Sequence, residues 1–432
     1  MQVVILAGGK GTRLKTITKG LPKPLAKING ISILEHIINQ CKKYDFLDIK
    51  ILSSYKSETI EKSFGNGSDF GVKIDYIRED PPLGTGGALI SALDNLDEKF
   101  LVLYGDTFFD VDLLRLFNFH LENKADATIF IHPNDHPHDS DIVEINKAFQ
   151  VTKIHPYPHN TEWLPNLVNA AMYVLNKASL YSYSVSKEKF DIAKNLFPKL
   201  ILDNKKIMGY LSAEYIKDAG TPERLKKVES DILSNKVNSL NFNHPKKTIF
   251  LDRDGVINVE VNHLSKIDDF SLIEGVAESL IKARNAGYII VVVTNQPVIA
   301  RGELTEEGLK LIHNKMDSLL GKKGAYIDRL YYCPHHPDKG FLGEVESLKV
   351  ECNCRKPKTG MLEQAKKDLN IDLERSWLVG DSMRDIQAAD KLGVRSVFIN
   401  SCKENFYETK NTSSYYRDSL YSAIEFIISM EK

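Results

Sequence analysis

The sequence predicts two α/β domains in tandem: an N-terminal Rossmann-like mixed sheet and a C-terminal Rossmann-like parallel sheet that carries a cysteine–histidine loop. Three observations lead there. At 432 residues the chain exceeds what one hydrophobic core organises comfortably. Short apolar runs alternate with helical segments in two separate series. A polar stretch rich in Asn, Ser and Lys parts the two, so the expected layout is 1–233, a linker 234–246, and 247–432.

In the first series the apolar runs at 3–7, 49–53, 100–104 and 127–131 are strand candidates, and 32–44 has helical periodicity. The second series opens with a strand at 248–251 and continues with strands at 288–293 and 376–379 and a helix at 275–286. A last helix is expected at 419–430. The two halves share no motif, which argues against an internal repeat.

Composition narrows the function class. Apolar residues make up 42% and charged residues 27%, as in a globular protein. The formal net charge of −1 gives no global field to recruit nucleic acid. No run reaches transmembrane length and the N-terminus lacks signal-peptide layout, so a cytoplasmic enzyme of small molecules is expected, with an oligomer left open. In a reducing compartment, Cys333, Cys352 and Cys354 near histidines read as a metal site rather than a disulfide framework.

The run VVILAGGKGTRL places glycines directly after a strand. Glycines let backbone N–H groups approach phosphate oxygens, and Arg13 adds a fork of donors. Leu6, Ala7, Gly8, Gly9, Gly11 and Thr12 are the expected nucleotide contacts of this loop, joined by Gly84 and Thr85 in PLGTGGAL. Lys23 sits between two prolines as a second cation on a stiff segment. Asp106 ends an apolar strand and Asp218 lies in IKDAGTPERL, so this pair is expected to hold Mg²⁺. Nucleotidyl transfer needs those parts: Arg13 and Lys23 would stabilise departing pyrophosphate, and a phosphate acceptor requires no general base.

In motif order this half resembles the sugar-1-phosphate nucleotidylyltransferases. Within them GDTFFDVDL and EDPPLGTGGA are most similar to the D-glycero-α-D-manno-heptose 1-phosphate guanylyltransferases. The resemblance implies that Glu79 reads the base, where a carboxylate can accept both the ring N–H and the exocyclic amine of guanine. It implies sugar binding by Asn169, although Ala171 replaces the family's glycine nearby. It also exposes a departure: Pro156 and Tyr157 stand where the family has Glu-Lys, leaving Lys153, His155 or Lys194 to grip the acceptor phosphate. The loop HPNDHPHDSD reads as solvated turns marked by Pro133 and Pro137, with substrate contact as the next reading and metal binding behind it.

FLDRDGVIN is more specific. Two aspartates two apart at a strand end can divide phosphoryl transfer: Asp252 attacks phosphorus, and Asp254 protonates the leaving alkoxide and then activates water. Thr294 would bond the phosphoryl oxygens, and Lys356 would neutralise charge. Asp252, Asp254 and Asp381 would hold Mg²⁺, with Asp385 in support. Asn295, Gln296, Arg301 and Arg355 are the expected substrate contacts. Cys333, His335, Cys352 and Cys354 form C-x-H and C-x-C pairs suited to a closed structural Zn²⁺, with His336 as the competing ligand.

The ordered motifs identify this half as a member of the haloacid-dehalogenase phosphatases, most similar to the D-glycero-D-manno-heptose 1,7-bisphosphate 7-phosphatases. Histidinol-phosphate phosphatases share nearly all the motifs. The resemblances imply one chain with two activities: removal of the 7-phosphate, then GMP transfer from GTP to heptose 1-phosphate. The alternatives are another sugar phosphate or UTP or ATP, and a phosphatase whose N-terminal half only binds a nucleotide sugar.

Overall fold

The computed structural model describes residues 1–9, 20–79, 81–183, 189–399 and 414–431. The chain forms two compact units. One holds Met1–His132, Ser140–Tyr157 and Leu167–Phe242; the other holds Pro133–Asp139, Pro158–Asn166 and Asn243–Lys432. Among the described residues no helix is long and apolar enough to cross a membrane.

The first unit is built on a mixed sheet. Its strands lie in the order Val151–His155, Ile142–Ile145, Val168–Asn176, Lys99–Tyr104, Gln2–Leu6, Asp48–Ser53, Lys73–Arg78, with Ala127–His132 and Ile207–Leu211 joined at Val168–Asn176. Gln2–Leu6 pairs in parallel with both neighbours, while Val168–Asn176 runs antiparallel to Lys99–Tyr104. Val3 and Ile5 enter one apolar core and Val4 the other, so both faces are covered and the strand reads as continuously apolar. The expected helix at 32–44 is Ile33–Lys43, started by the Ser32 side chain accepting from Glu35 N at 3.2 Å.

A two-stranded ribbon matters more for function. Thr107–Asp110 pairs antiparallel with Tyr215–Asp218, in a register that sets Asp218 opposite Thr107. Ala219 N donates to Asp106 O at 3.0 Å. Pairing thus brings together two carboxylates that the sequence keeps far apart.

The second unit holds a six-stranded, all-parallel sheet in the order Arg329–Cys333, Ile289–Asn295, Thr248–Leu251, Trp377–Gly380, Arg395–Ile399, Ser414–Arg417. Helices Val276–Asn285 and Leu420–Ser429 fall where the periodicity places them. Asp252, Thr294 and Asp381 sit at or just past the C-terminal ends of three adjacent strands. Ligands collect at such ends because no side chain from a continuing strand fills the crevice.

Two local expectations change. Within the polar stretch 234–246, Lys236–Leu240 is helical, with Val237 buried in the first unit's core and Asn241 donating to Asp110 at 2.9 Å. In the loop at 133–139 Asp135, His138 and Asp139 are exposed as solvated turns would have them, but the prolines do more than mark turns. Asn134 and Pro137 are buried, and a Cβ on Gly321 would lie 2.5 Å from the Pro137 ring. Beside it Leu164 N and O both bond Ser318 Oγ, at 3.1 and 3.0 Å, and Asn166 N donates to Asp317 at 3.1 Å. The apolar proline and the paired amide groups give this segment a packed partner in the helix Glu306–Lys322.

Candidate active sites

In the second unit a cavity of about 750 Å³ opens over the strand ends, lined among others by Asp252, Asp254, Thr294, Arg301, Arg355 and Lys356. Lys356 is buried and its ammonium lies 2.9 Å from Asp252 and 2.6 Å from Asp385. Burial opposes its charge, but the two carboxylates outweigh burial and raise its pKa. Asp252, Asp381 and Asp385 each offer an oxygen within 4.8 Å of the others. Burial, then the neighbouring carboxylates, pushes Asp381 up to about 7. Burial likewise pushes Asp385 up to about 6, against the pull of Lys356. Crowded, buried carboxylate oxygens suit a hard divalent ion such as Mg²⁺, whose charge relieves their repulsion.

Membership of that cluster differs from expectation. The Asp254 carboxylate is turned into a clamp: Arg253 donates to it at 2.8 Å, Gln296 at 2.8 Å and Asn258 at 3.0 Å. Burial works against the charged form, yet these donors hold the Asp254 carboxyl below its ordinary value. Asp385, expected in support, lies within the cluster, its carboxylate contacting Lys356 at 2.6 Å and accepting from Ser382 N at 3.1 Å.

Two expected substrate contacts line the cavity and are also bonded internally. Asn295 bonds both backbone groups of Lys356, and Gln296 is buried, bridging Asp254, Arg253 and Thr294. Arg301 and Arg355 line the same cavity. Arg301 contacts His263 and lies over the Phe341 ring at 4.7 Å; Arg355 donates to His335 O at 3.3 Å. Burial lowers the Arg355 pKa.

In the first unit a cavity of about 290 Å³ is lined by Leu6, Ala7, Gly8, Gly9, Glu79, Gly84 and Thr85, together with Lys23 and Asp106. Gly11, Thr12 and Arg13 lie outside the described residues. Glu79 is partly buried, which raises its pKa against the opposing bond from Leu83 N. Gly84 has φ +84°, and a Cβ there would meet Phe190 O at 2.8 Å. Its close approach is therefore to the protein's own backbone. Thr85 is held too, donating to Asp191 at 2.8 Å and accepting from Ile192 N at 3.0 Å. The Lys23 ammonium lies between Asp106 and Asp218, contacting the first and reaching the second at 3.3 Å, while Arg224 also contacts Asp218.

Comparison with known proteins agrees with this division. The nucleotidyl transferase family profile matches residues 2–235, and the HAD-hydrolase-like profile matches residues 353–422. A D-glycero-beta-D-manno-heptose-1,7-bisphosphate 7-phosphatase of Haemophilus ducreyi is 40% identical over 184 residues, covering 42% of this chain and 98% of its own. The chain belongs to the nucleotidyl transferase family and, through its C-terminal half, to the HAD-like heptose-bisphosphate phosphatase family.

A phosphatase of the same name from Photorhabdus laumondii is 44% identical over 149 residues, covering 34% of this chain and 77% of the relative. Among solved structures, HddC from Yersinia pseudotuberculosis complexed with GMP-PN is 28% identical, covering 54% of this chain and 99% of that one, with a TM-score of 0.46. A putative HAD-like phosphatase from Mesorhizobium loti is 28% identical, covering 43% of this chain and 87% of that one, with a TM-score of 0.38.

The phosphatase domain also gathers the four expected zinc ligands. Sulfur–sulfur distances are 3.5 Å for Cys333–Cys352, 3.2 Å for Cys333–Cys354 and 3.3 Å for Cys352–Cys354. His335 Nδ1 lies 3.7 Å from Cys333 Sγ and 3.3 Å from Cys354 Sγ. Ideal tetrahedral zinc thiolates have edges of about 3.8 Å, so the set matches a slightly contracted cage. The neighbouring groups Cys333, Cys352 and His335 hold the Cys354 thiol below its ordinary value against burial, which favours the thiolate a metal needs. His336 points elsewhere, accepting from Asp338 N at 3.2 Å and lining the phosphatase cavity.

In the nucleotidyl transferase domain, Asn169 lies outside the residues lining the cavity and accepts from Ala171 N at 3.1 Å. Ala171 has φ +55°, a left-handed conformation that glycine adopts freely, at an irregularity in the pairing of Val168–Asn176 with Ala127–His132. Of the substitutes for the absent lysine, His155 is buried against Glu144 at 2.7 Å, whereas Lys153 is exposed.

Reading the sequence missed three glycines or clamps. Gly255 has φ +72°, and a Cβ there would sit 1.8 Å from an Asp381 oxygen. On Gly220 a Cβ would sit 2.6 Å from Lys23 Nζ. Arg253 is fully buried behind Asp254. The D-G spacing hinted at Gly255; nothing in the sequence marked the other two.

Proposed function

We propose that the chain is a bifunctional enzyme of sugar-nucleotide synthesis. Residues 247–432 remove the 7-phosphate of D-glycero-D-manno-heptose 1,7-bisphosphate, and residues 1–233 transfer GMP from GTP to the resulting heptose 1-phosphate, releasing pyrophosphate. The carrying observation is a cavity of nucleotidyl transferase type on the same chain as a phosphatase 40% identical over nearly the whole length of a named 7-phosphatase. Removing the 7-phosphate yields the 1-phosphate acceptor that such a transferase consumes, so the two halves share one intermediate.

In the phosphatase, Asp254, ionised in its clamp before substrate arrives, takes up a proton together with the phosphate ester; an Asp252 oxygen then attacks phosphorus and the ester oxygen departs with that proton, leaving an aspartyl-phosphate. Asp254 then takes a proton from water as that water attacks phosphorus, which frees Asp252 and inorganic phosphate. Lys356 neutralises charge beside Asp252, and Thr294 faces the transferred group. Asp252 and Asp381, with Asp385 beside them, would hold Mg²⁺, which when bound would supply charge shielding between the anionic nucleophile and anionic ester. Cys333, His335, Cys352 and Cys354 hold structural Zn²⁺, and Arg355 and Lys356 follow directly after the last ligand. In the transferase, an acceptor phosphate oxygen attacks the α-phosphorus of GTP. Lys23 and Arg13 stabilise the departing pyrophosphate, Asp106 and Asp218 hold Mg²⁺, and Glu79 receives guanine's two N–H donors. Small charged substrates of this kind place the enzyme in the cytoplasm.

One observation favours a second reading. With Tyr157 replacing the family's lysine and His155 committed to Glu144, the acceptor grip is weakened, as in a half that only binds a nucleotide sugar. A coupled assay with heptose 1,7-bisphosphate of either anomer, Mg²⁺ and each NTP in turn decides. Phosphate release followed by GTP-dependent pyrophosphate is expected. Phosphate without pyrophosphate selects the binding-module reading, and neither product removes the heptose substrate. In the same assay Asp252→Asn should abolish phosphate release while pyrophosphate release from supplied heptose 1-phosphate persists.

A further inference from the structure

We propose that Lys23 is a built-in counter-cation that occupies the place between Asp106 and Asp218, so that a free divalent ion binds there weakly and enters together with the triphosphate. The inference rests on the reading of Asp106 and Asp218 as the transferase's metal pair and concerns how that pair is kept before substrate arrives.

The geometry of the pair is specific. Lys23 lies in the short turn Lys23–Leu25 between Pro22 and Pro24, and its side chain is buried down to the ammonium. That ammonium contacts Asp106 and lies 3.3 Å from Asp218. Gly220 makes the room: any side chain there would start 2.6 Å from Lys23 Nζ and 2.8 Å from Asp218 Oδ1. On the far side Arg224 contacts the other oxygen of Asp218, its own helix started by Thr221 accepting from Arg224 N at 3.3 Å. Among the described residues, two carboxylates and two cations make up this group.

A metal ion entering alone would displace the ammonium from two carboxylates in a partly desolvated cavity and bring it no phosphate to settle on. A triphosphate changes that balance. It presents oxygens on which the same ammonium can settle, since Lys23 and Asp106 both line the nucleotide cavity. Lys23 would then move from the carboxylates to the phosphates as the metal takes its place, coupling the two binding events.

Manganese binding followed by electron paramagnetic resonance, counting only binding lost in the Asp106→Asn variant, tests this without turnover. Subtracting that variant removes the contribution of the phosphatase carboxylates. Wild-type protein without nucleotide should bind Mn²⁺ at least tenfold more weakly than Lys23→Gln. Adding a non-hydrolysable GTP analogue should bring wild type up by a similar factor. Lys23→Met, which keeps the apolar stem, serves if the Gln variant does not fold by circular dichroism. Equal Mn²⁺ affinity in wild type and the Lys23 variant, whether strong or weak, overturns the proposal and leaves the metal pair standing. Absence of Asp106-dependent binding under every condition, analogue included, overturns the metal pair as well.

Discussion

Asn295 holds Lys356 by both ends of its peptide: Nδ2 donates to Lys356 O at 3.1 Å, and Oδ1 accepts from Lys356 N at 3.0 Å. Two strand-end and loop segments are thereby tied so that the buried ammonium stays between Asp252 and Asp385. Asn295→Ala removes both bonds and should slow phosphate release by about 10- to 100-fold, with a stability loss on the order of 1–3 kcal/mol. Steady-state phosphate release and urea unfolding measure the two effects. A change in KM alone would instead return Asn295 to the role of substrate contact.

Gly255→Ala should be more severe than its size suggests. The residue has φ +72°, and the new methyl would lie 1.8 Å from the Asp381 carboxylate. Either Asp381 moves or the turn does, and both spoil the carboxylate cluster. Phosphate release should fall by at least 100-fold while nucleotide binding to the N-terminal domain, read by fluorescence, is unchanged.

Cys352→Ser, or prolonged chelation, should remove about one zinc per chain and silence phosphate release, because the cage carries the backbone on which Arg355 and Lys356 are mounted. Metal content by atomic absorption is the direct check. Full zinc content with full activity in Cys352→Ser would refute the cage.

Ala171→Gly should stabilise the chain. The left-handed conformation at φ +55° costs alanine about 1–2 kcal/mol. Glycine's freer unfolded state returns about 0.4–1 kcal/mol of that. A net gain of about 0.5–1 kcal/mol is expected in urea unfolding.

Asp317 gives a pH signature. Burial pushes its carboxyl up to about 7, with the bond from Asn166 N opposing. A folded-state pKa above the unfolded value of about 3.9 favours folding while the group is protonated. Its contribution is complete below about pH 4 and is lost as pH rises through 7. Asp317→Asn should therefore leave stability at about pH 3.5 almost unchanged and raise it at pH 8 by on the order of 1–3 kcal/mol, the range discounted for partial exposure. Parallel urea curves at the two pH values check the sign.

Much of this was legible in the sequence. Apolar runs with turn-forming ends marked the strands on which Asp252, Thr294 and Asp381 sit, because a strand buried on both faces must be continuously apolar and must end where polar chemistry begins. The C-x-H and C-x-C spacings marked the zinc ligands, since residues two apart can turn both donors to one point. The roles of Asn295 and Gln296 were not legible. Polar residues beside a motif do not show in sequence whether they also bond a neighbouring segment, and only the fold ties Gln296 to Arg253 and Asp254 and Asn295 to Lys356 while both line the cavity.

The sequence by itself determined the two-part α/β architecture, the strand ends that carry chemistry and the types of donor available there, because these depend on local periodicity and short spacing. Tertiary structure alone decided how those donors are spent: Asp254 in the Arg253 clamp, Asp385 inside the carboxylate cluster, Lys23 between Asp106 and Asp218, and Pro133–Asp139 packed into the second unit. Charges and hydrogen-bonding groups are satisfied by whatever the fold brings within about 3 Å, and such partners lie at sequence separations that no local pattern encodes.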